Sequence, residues 1–234
     1  MVVRERLAEL YGAGVVSTTG LIAHGRGEAF DYLLGERTTS DALLAEKVAI
    51  AYLLEAKNPV ISVNGNVAAL CPEEVIALSR AVPAKIEVNL FHRTGGRMEK
   101  VIHHMEAAGA KSVLGRNPDA RLEGIASDRA LCSKEGIYSA DVVLVPLEDG
   151  DRAEALARAG KIVLAIDLNP LSRTSETATV TMVDEVTRAL PNMIGFVKVL
   201  REDRAERRRL ISSFDNRTSL RKMVQTMRDH IQSD

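Results

Sequence analysis

The sequence predicts an α/β fold: one mostly parallel sheet with helices on both faces, a helical portion before it and a helical arm after it. Three observations carry this. Short apolar runs rich in Val and Ile recur through the middle of the chain, too short to be helices. Stretches of helical periodicity separate them, the pattern of β-α-β units. The runs also lack polar alternation, as strands covered on both faces do.

In chain order, roughly the first 60 residues read as helical, a cap against the sheet. The clearest helix spans 41–56, with Leu43, Leu44, Val48, Ala51 and Leu54 at helical spacing. Strands are expected at 60–63, 84–88, 142–145 and 162–166, with weaker signals at 112–114 and 179–183. Helices are expected at 72–81, 96–108, 151–159 and 184–200. The segment 201–234 is heavily charged but keeps Leu210, Phe214, Leu220, Val224, Met227 and Ile231 at helical spacing. It reads as an arm that packs on the body or on a partner subunit, or as a solvated helix. The expected division is a single α/β domain over 1–200 and the arm over 201–234.

The 234 residues, 46% apolar, suffice for a sizeable core. A net charge of -1 gives no field to draw nucleic acid or a membrane surface, so an anion site must be local. The basic run Arg207-Arg208-Arg209 follows Glu202, Asp203 and Glu206, which argues against a nucleic-acid patch. No apolar run reaches membrane-spanning length. The opening segment carries Arg4, Glu5, Arg6 and Glu9 and lacks the apolar stretch of a signal peptide. Cys71 and Cys132 form no CxxC, so two reduced, buried thiols are expected. These features describe a cytoplasmic enzyme or binding protein.

Ligands of open parallel sheets bind beyond the carboxyl ends of the strands. Here those ends are polar: Asn64-Gly65-Asn66 after the first strand, then Asn89, His92 and Arg93 after the second. Glu148-Asp149-Gly150-Asp151-Arg152 follows 142–145, and Asp167-Leu168-Asn169-Pro170 with Arg173-Thr174 follows 162–166. Four such turns converging on one crevice define a candidate site, although any one alone reads as an ordinary solvated turn. Asp149 and Asp151 would hold Mg²⁺ beside phosphates, or cap the next helix. Asp167 and Asn169 would recognise adenosine, or cap their own loop.

A second cluster runs Gly20-Leu21-Ile22-Ala23-His24-Gly25-Arg26-Gly27-Glu28. It fails as a dinucleotide fingerprint, because Phe30 holds the third glycine position and no strand precedes it. It reads instead as a glycine loop leading into a helix near Glu28, with Gly25 and Gly27 letting an anion approach and Arg26 supplying a fork. The alternative is a tight turn with a solvated arginine. His24 is a candidate base or phosphate contact, or a hydrogen-bonded turn histidine.

Taken together, Gly20–Glu36, Pro59–Leu70, Ala140–Leu156 and Ile166–Ser175, with Glu87–Arg93, resemble the archaeal 4-phosphopantoate–β-alanine ligases, or phosphopantothenate synthetases. The resemblance implies a Rossmann-like homodimer in coenzyme A synthesis, consuming ATP and releasing AMP and pyrophosphate. It implies ATP binding by Arg4, Arg26, Asp167, Leu168, Asn169, Arg173, Thr174 and the Glu185-Val186 pair. The resemblance implies asparagine where this chain has Glu185, so any contact there is expected at the backbone or the ribose. Gly25, Gly27, Asn64, Asn66, Asn89 and Arg93 would face the acid substrate. Arg26, His24 and His92 are the candidates for catalysis, with Mg²⁺ beside the phosphates. Competing readings are a kinase acting on a small hydroxy acid and an ATP-sensing module without turnover.

Overall fold

The computed structural model describes residues 2–233. Three helices come first: α1 (Val2–Gly12), α2 (Thr18–Leu34) and α3 (Ser40–Glu55). Ser17 caps α2 by accepting from the Gly20 amide at 3.2 Å, and Thr39 caps α3 through the Ala42 amide at 3.1 Å. The body follows as β1 (Pro59–Val63), α4 (Gly65–Leu70), α5 (Pro72–Ala81), β2 (Lys85–Val88), α6 (Gly95–Ala107) and β3 (Val113–Leu114). A side excursion contributes β4 (Ala120–Arg121) and β5 (Leu131–Cys132). The chain then returns through β6 (Val142–Pro146), α7 (Gly150–Arg158), β7 (Ile162–Ile166), α8 (Arg173–Thr177) and β8 (Val180–Met182). It ends in α9 (Val186–Leu200), α10 (Arg204–Ser213) and α11 (Asn216–Ser233).

The main sheet has six strands in the order β3-β2-β1-β6-β7-β8, and every pairing in it is parallel. Counting only these strands, the order is 3-2-1-4-5-6, the doubly wound arrangement. Its switch point lies between β1 and β6. Alternate residues of β1, β6 and β7 enter different cores, which is why these central runs are almost wholly apolar. Ile61, Val63, Leu144, Leu164 and Ile166 join α3, α5, α6 and α9. Val60, Val143, Val145, Val163 and Ala165 join α7 and the excursion.

The terminal arm packs on the body of the same chain. Leu220, Met223 and Met227 form a third core with Leu34, Leu168 and Val183, and Leu210 joins the first. Val224 and Ile231 stay exposed, so the buried stripe of α11 runs through Met223, not through the expected Val224. Met223→Ala should cost about 2–5 kcal/mol, the range for emptying a buried methionine site. A lower urea midpoint with an unchanged denaturant slope is the expected result.

One expectation fails in the N-terminal portion. The glycine-rich segment is no loop. Gly20, Gly25 and Gly27 all lie within the continuous helix α2, which ends at Gly35 in a left-handed conformation. No helix begins near Glu28, so no free amides at that point receive an anion. A glycine inside a helix costs roughly 1 kcal/mol against alanine, and at Gly20 the reason is contact. A Cβ there would meet the Asn66 side-chain oxygen at 2.4 Å.

Candidate active site

The switch point is built first by Asn64. Its Oδ1 accepts from the Asn66 and Val67 amides at 3.0 and 3.1 Å, starting α4. Its Nδ2 donates to the Pro146 and Leu147 carbonyls, both at 3.0 Å, which ties the end of β1 to the end of β6. Asn66 in turn donates to the Gly20 carbonyl at 2.8 Å and holds α2 over this edge. Further along α2, Gly27 approaches Leu168 after β7. Asp31 receives the Arg188 guanidinium at 2.5 and 2.9 Å, and Arg188 also binds Asp184 after β8. Thus α2 spans the carboxyl ends from β1 to β8 and walls the crevice.

This placement orients the candidate side chains of α2. Gly20, Gly27 and Asp31 mark the face toward the sheet, and His24 shares that face by helical spacing. Its Nε2 is buried without a hydrogen-bond partner. Arg26 is exposed, and its charge is felt by Asp167. Arg4 is placed differently. It grips Glu28 at 3.0 Å and the Tyr32 hydroxyl at 2.6 Å, roughly 200° around the helix from Arg26. One chain therefore does not bring Arg4 and Arg26 together.

At the end of β7, Asp167 accepts from the Ser172 hydroxyl at 2.5 Å and the Asn169 amide at 2.9 Å. Burial pushes its carboxyl above the usual range, and those two bonds and Arg26 oppose the push. Asn169 caps the turn through the Leu171 amide at 2.9 Å, and Leu168 is buried in the third core. Both Asx residues therefore make the loop-capping bonds that were the alternative to adenosine contact. Arg173 is exposed and pairs with Asp151 at 2.7 Å. Thr174 is buried and donates to the Glu148 carbonyl at 3.0 Å. Glu185 caps α9 through the Thr187 amide, and Val186 is buried behind it.

The middle of the crevice rests on a buried ionic network that sequence reasoning missed. Glu148 binds both Arg129 and Arg152. Arg152 is fully buried and reaches Ser62 at 3.1 Å, leaving its Nε and one terminal nitrogen without partners. Arg129 also reaches Asp149 at 3.1 Å and the Asn89 carbonyl at 2.6 Å. Burial pushes the Arg129 guanidinium down to about 9, which still leaves it charged at neutral pH. Glu87 is fully buried and accepts the Ser133 and Ile137 amides, both at 2.7 Å; burial raises its carboxyl, and those amides oppose the rise. Asn89 donates to the Arg129 and Leu131 carbonyls at 3.3 and 2.9 Å, while its Oδ1 is buried without a partner. Together these bonds staple the excursion to the strand ends.

The remaining candidates lie on the β2 side. Arg93 donates to the Gly115 and Arg116 carbonyls, and its other terminal nitrogen is buried and unpartnered. His92 is exposed, its ring edge-on to Phe91 with centroids 5.0 Å apart. Asp149 caps α7 through the Arg152 amide at 2.9 Å, the capping alternative to metal binding. Among the described residues, no group of three or more His, Cys, Asp or Glu is arranged to hold a metal. Cys71 and Cys132 are both buried and free, as expected.

A doubly wound sheet places its ligand crevice at the switch point, and an arginine-rich crevice there suits an anionic ligand. Comparison with known proteins gives the family. The phosphopantothenate/pantothenate synthetase family matches residues 41–230. A 4-phosphopantoate–β-alanine ligase of Methanosarcina mazei is 53% identical over 234 residues, all of this chain and 92% of the relative. The ligase of Methanospirillum hungatei is 56% identical over 203 residues, 87% of this chain and 83% of the relative. That of Thermococcus onnurineus is 47% identical over 230 residues, 97% and 88% of the two chains. The chain belongs to the phosphopantothenate/pantothenate synthetase family.

Proposed function

We propose that this chain is an ATP-dependent ligase that joins (R)-4-phosphopantoate to β-alanine. The products are 4'-phosphopantothenate, AMP and pyrophosphate, and the setting is coenzyme A biosynthesis in the cytoplasm. The observation that carries the reading is near-full-length identity of about half to relatives bearing that name. The crevice supports it chemically. A carboxylate is a poor electrophile, and transfer to AMP makes a mixed anhydride that the β-alanine amine attacks. The obstacle is electrostatic, since a substrate with two anionic ends must approach a triphosphate. Preorganised arginines at the strand ends lower that barrier.

In this reading Arg26, Asp167, Leu168, Asn169, Arg173 and Thr174 hold the nucleotide, with Glu185 and Val186 at its margin. Asn64, Asn66, Asn89 and Arg93 line the acid-substrate end, with Gly25 and Gly27 in the α2 wall. His24, facing the crevice with an open Nε2, is the better placed base, and His92 the second candidate. One or two protein carboxylates would be enough to hold Mg²⁺ beside the triphosphate, where it would neutralise phosphate charge. Asp151, exposed beside Arg173, suits that role, whereas Asp149 is engaged by Arg129 and its own helix. The chain acts as a homodimer in which Arg4 serves the nucleotide of the second copy, because its own copy turns it away from Arg26. No helix among the described residues is long and apolar enough to cross a membrane.

Pyrophosphate release should require ATP, 4-phosphopantoate and β-alanine together, with AMP as co-product. ADP in its place would mean a kinase, and ATP binding without turnover a sensor. Light scattering should give a particle of twice the chain mass. Arg26→Ala should lose about 2–4 kcal/mol of transition-state stabilisation, as when one preorganised donor is removed. Arg26→Lys should recover part of it, because a point charge lacks the fork. An unchanged kcat/KM in the folded alanine variant would return Arg26 to a solvated surface role.

A further inference from the structure

Most arginines of this crevice have an acid beside them. Arg129 and Arg152 share Glu148, Arg173 has Asp151, Arg26 faces Asp167, and Arg93 lies near Glu87 and Asp128. Arg97, on α6, is the exception. It is half-buried, and among the described residues it takes part in no ion pair. Its guanidinium is fixed by two neutral backbone acceptors, the His92 carbonyl at 3.0 Å and the Val15 carbonyl at 3.2 Å, while its Nε is buried and unpartnered. The carboxylates of α6 do not offset it, because Glu99 and Glu106 are engaged by Arg116 at 3.0 and 3.4 Å.

Its position is set by Gly65. A Cβ there would meet the Arg97 terminal nitrogen at 2.8 Å and the Val15 carbonyl at 2.4 Å. The guanidinium therefore sits over the carboxyl end of β1, and it is close enough to Arg129 to lower that group's proton affinity. A desolvated cation held this way, with no counter-charge, costs free energy until an anion joins it.

We propose that Arg97 binds the phosphate of 4-phosphopantoate and is the residue that distinguishes this substrate from unphosphorylated pantoate. The inference rests on the ligase reading above. Strand spacing gives the geometry. From β7, where the nucleotide end is placed, to β1 is two strand spacings, about 10 Å. Five bonds separate the carboxyl carbon of 4-phosphopantoate from its phosphorus, roughly 6 Å in an extended chain. A carboxylate over β6–β7, beside the nucleotide, puts the phosphate over β1, under Arg97.

The test compares wild type, Arg97→Met and Arg97→Lys for affinity toward 4-phosphopantoate, pantoate and inorganic phosphate, and for the KM of each substrate. Arg97→Met should weaken 4-phosphopantoate by roughly 30- to 100-fold, the scale of a charge-assisted contact. It should leave pantoate, ATP and β-alanine within about twofold. Arg97→Lys should fall between, and it carries the comparison if the methionine variant fails to fold. Equal weakening of 4-phosphopantoate and pantoate would overturn the proposal, and so would a raised KM for β-alanine or ATP alone. A wild type that releases no pyrophosphate with 4-phosphopantoate would sink the ligase reading instead. Phosphate binding that is lost in Arg97→Met would support the site even then, and phosphate binding equal in both proteins would refute it.

Discussion

Glu148→Gln should destabilise the protein by about 3–5 kcal/mol, the cost of removing one partner from a buried ionic cluster. Glu148 is the carboxylate that both Arg129 and Arg152 share, and all three side chains are almost fully buried. The amide keeps the volume and loses the charge, leaving two guanidiniums close together out of water. Asp149 pairs directly with Arg129 and reaches the Arg152 guanidinium only through its field, and Glu87 is already committed to two backbone amides. Urea unfolding at neutral pH measures the loss. A change within roughly 0.5 kcal/mol, the scale of surface substitutions, would show the network to be a spectator. Adding Arg152→Met should lose less than the two single changes together, since it removes the charge left unpaired. The folded variant should also lose kcat/KM, because Arg129 and Asn89 are held at the crevice through this cluster.

The network explains why part of the site is not legible in the sequence. The strands are legible: Ile162–Ile166 lies where its apolar run places it, and the other main strands fall within one or two residues of expectation. Both-face burial forces continuous apolar runs, and such runs survive without knowledge of the fold. The polar strand ends are legible for the same reason, because each run stops where its strand does. What Arg129 does is not. It lies in the excursion, whose strands are two residues each, and its place is fixed by Glu87, Asn89 and Glu148 from distant parts of the chain. Nothing local marks an arginine for burial. Arg97 is similar, since its helix reads as amphipathic and only Gly65 and Val15 show where its guanidinium lies.

The misread of α2 has another cause. Three glycines in eight residues argue locally for a loop. The helix forms because Ser17 caps its start and because the sheet edge rewards close approach at Gly20. Tertiary contact overrides propensity there. Any part this segment plays at the crevice falls to its side chains, because its amides are used within the helix. A sequence clue was present in the spacing of Gly20, His24, Gly27 and Asp31, which fall on one helical face.

Stability should fall as pH rises through the neutral range, by up to about 1.4 kcal/mol per pH unit, and Glu46→Gln should remove that slope. Glu46 is fully buried in α3, and neither carboxyl oxygen has a hydrogen-bond partner of normal geometry. Asp184, Arg188 and Asn192 are the polar groups that face it. Arg188 is already shared between Asp31 and Asp184, so an ionised Glu46 would be a third carboxylate on one guanidinium. Burial first, and Asp184 second, push its carboxyl from 4.5 to about 9. The sign follows from proton counts. Between those values the native state holds a proton that the unfolded chain has lost, so the stabilisation is complete below 4.5 and drains away toward 9. Glutamine mimics the neutral acid at every pH. The variant should therefore match wild type near pH 5 and exceed it increasingly toward pH 9 in urea unfolding. Parallel pH profiles for the two proteins would mean that Glu46 is ionised in the fold. The same cluster anchors Asp31 and with it α2, so alkaline loss of this contact should loosen the wall that carries His24 and Arg26 before the sheet itself unfolds. Hydrogen exchange at pH 8.5 should then rise in Thr18–Leu34 of wild type and stay low in Glu46→Gln.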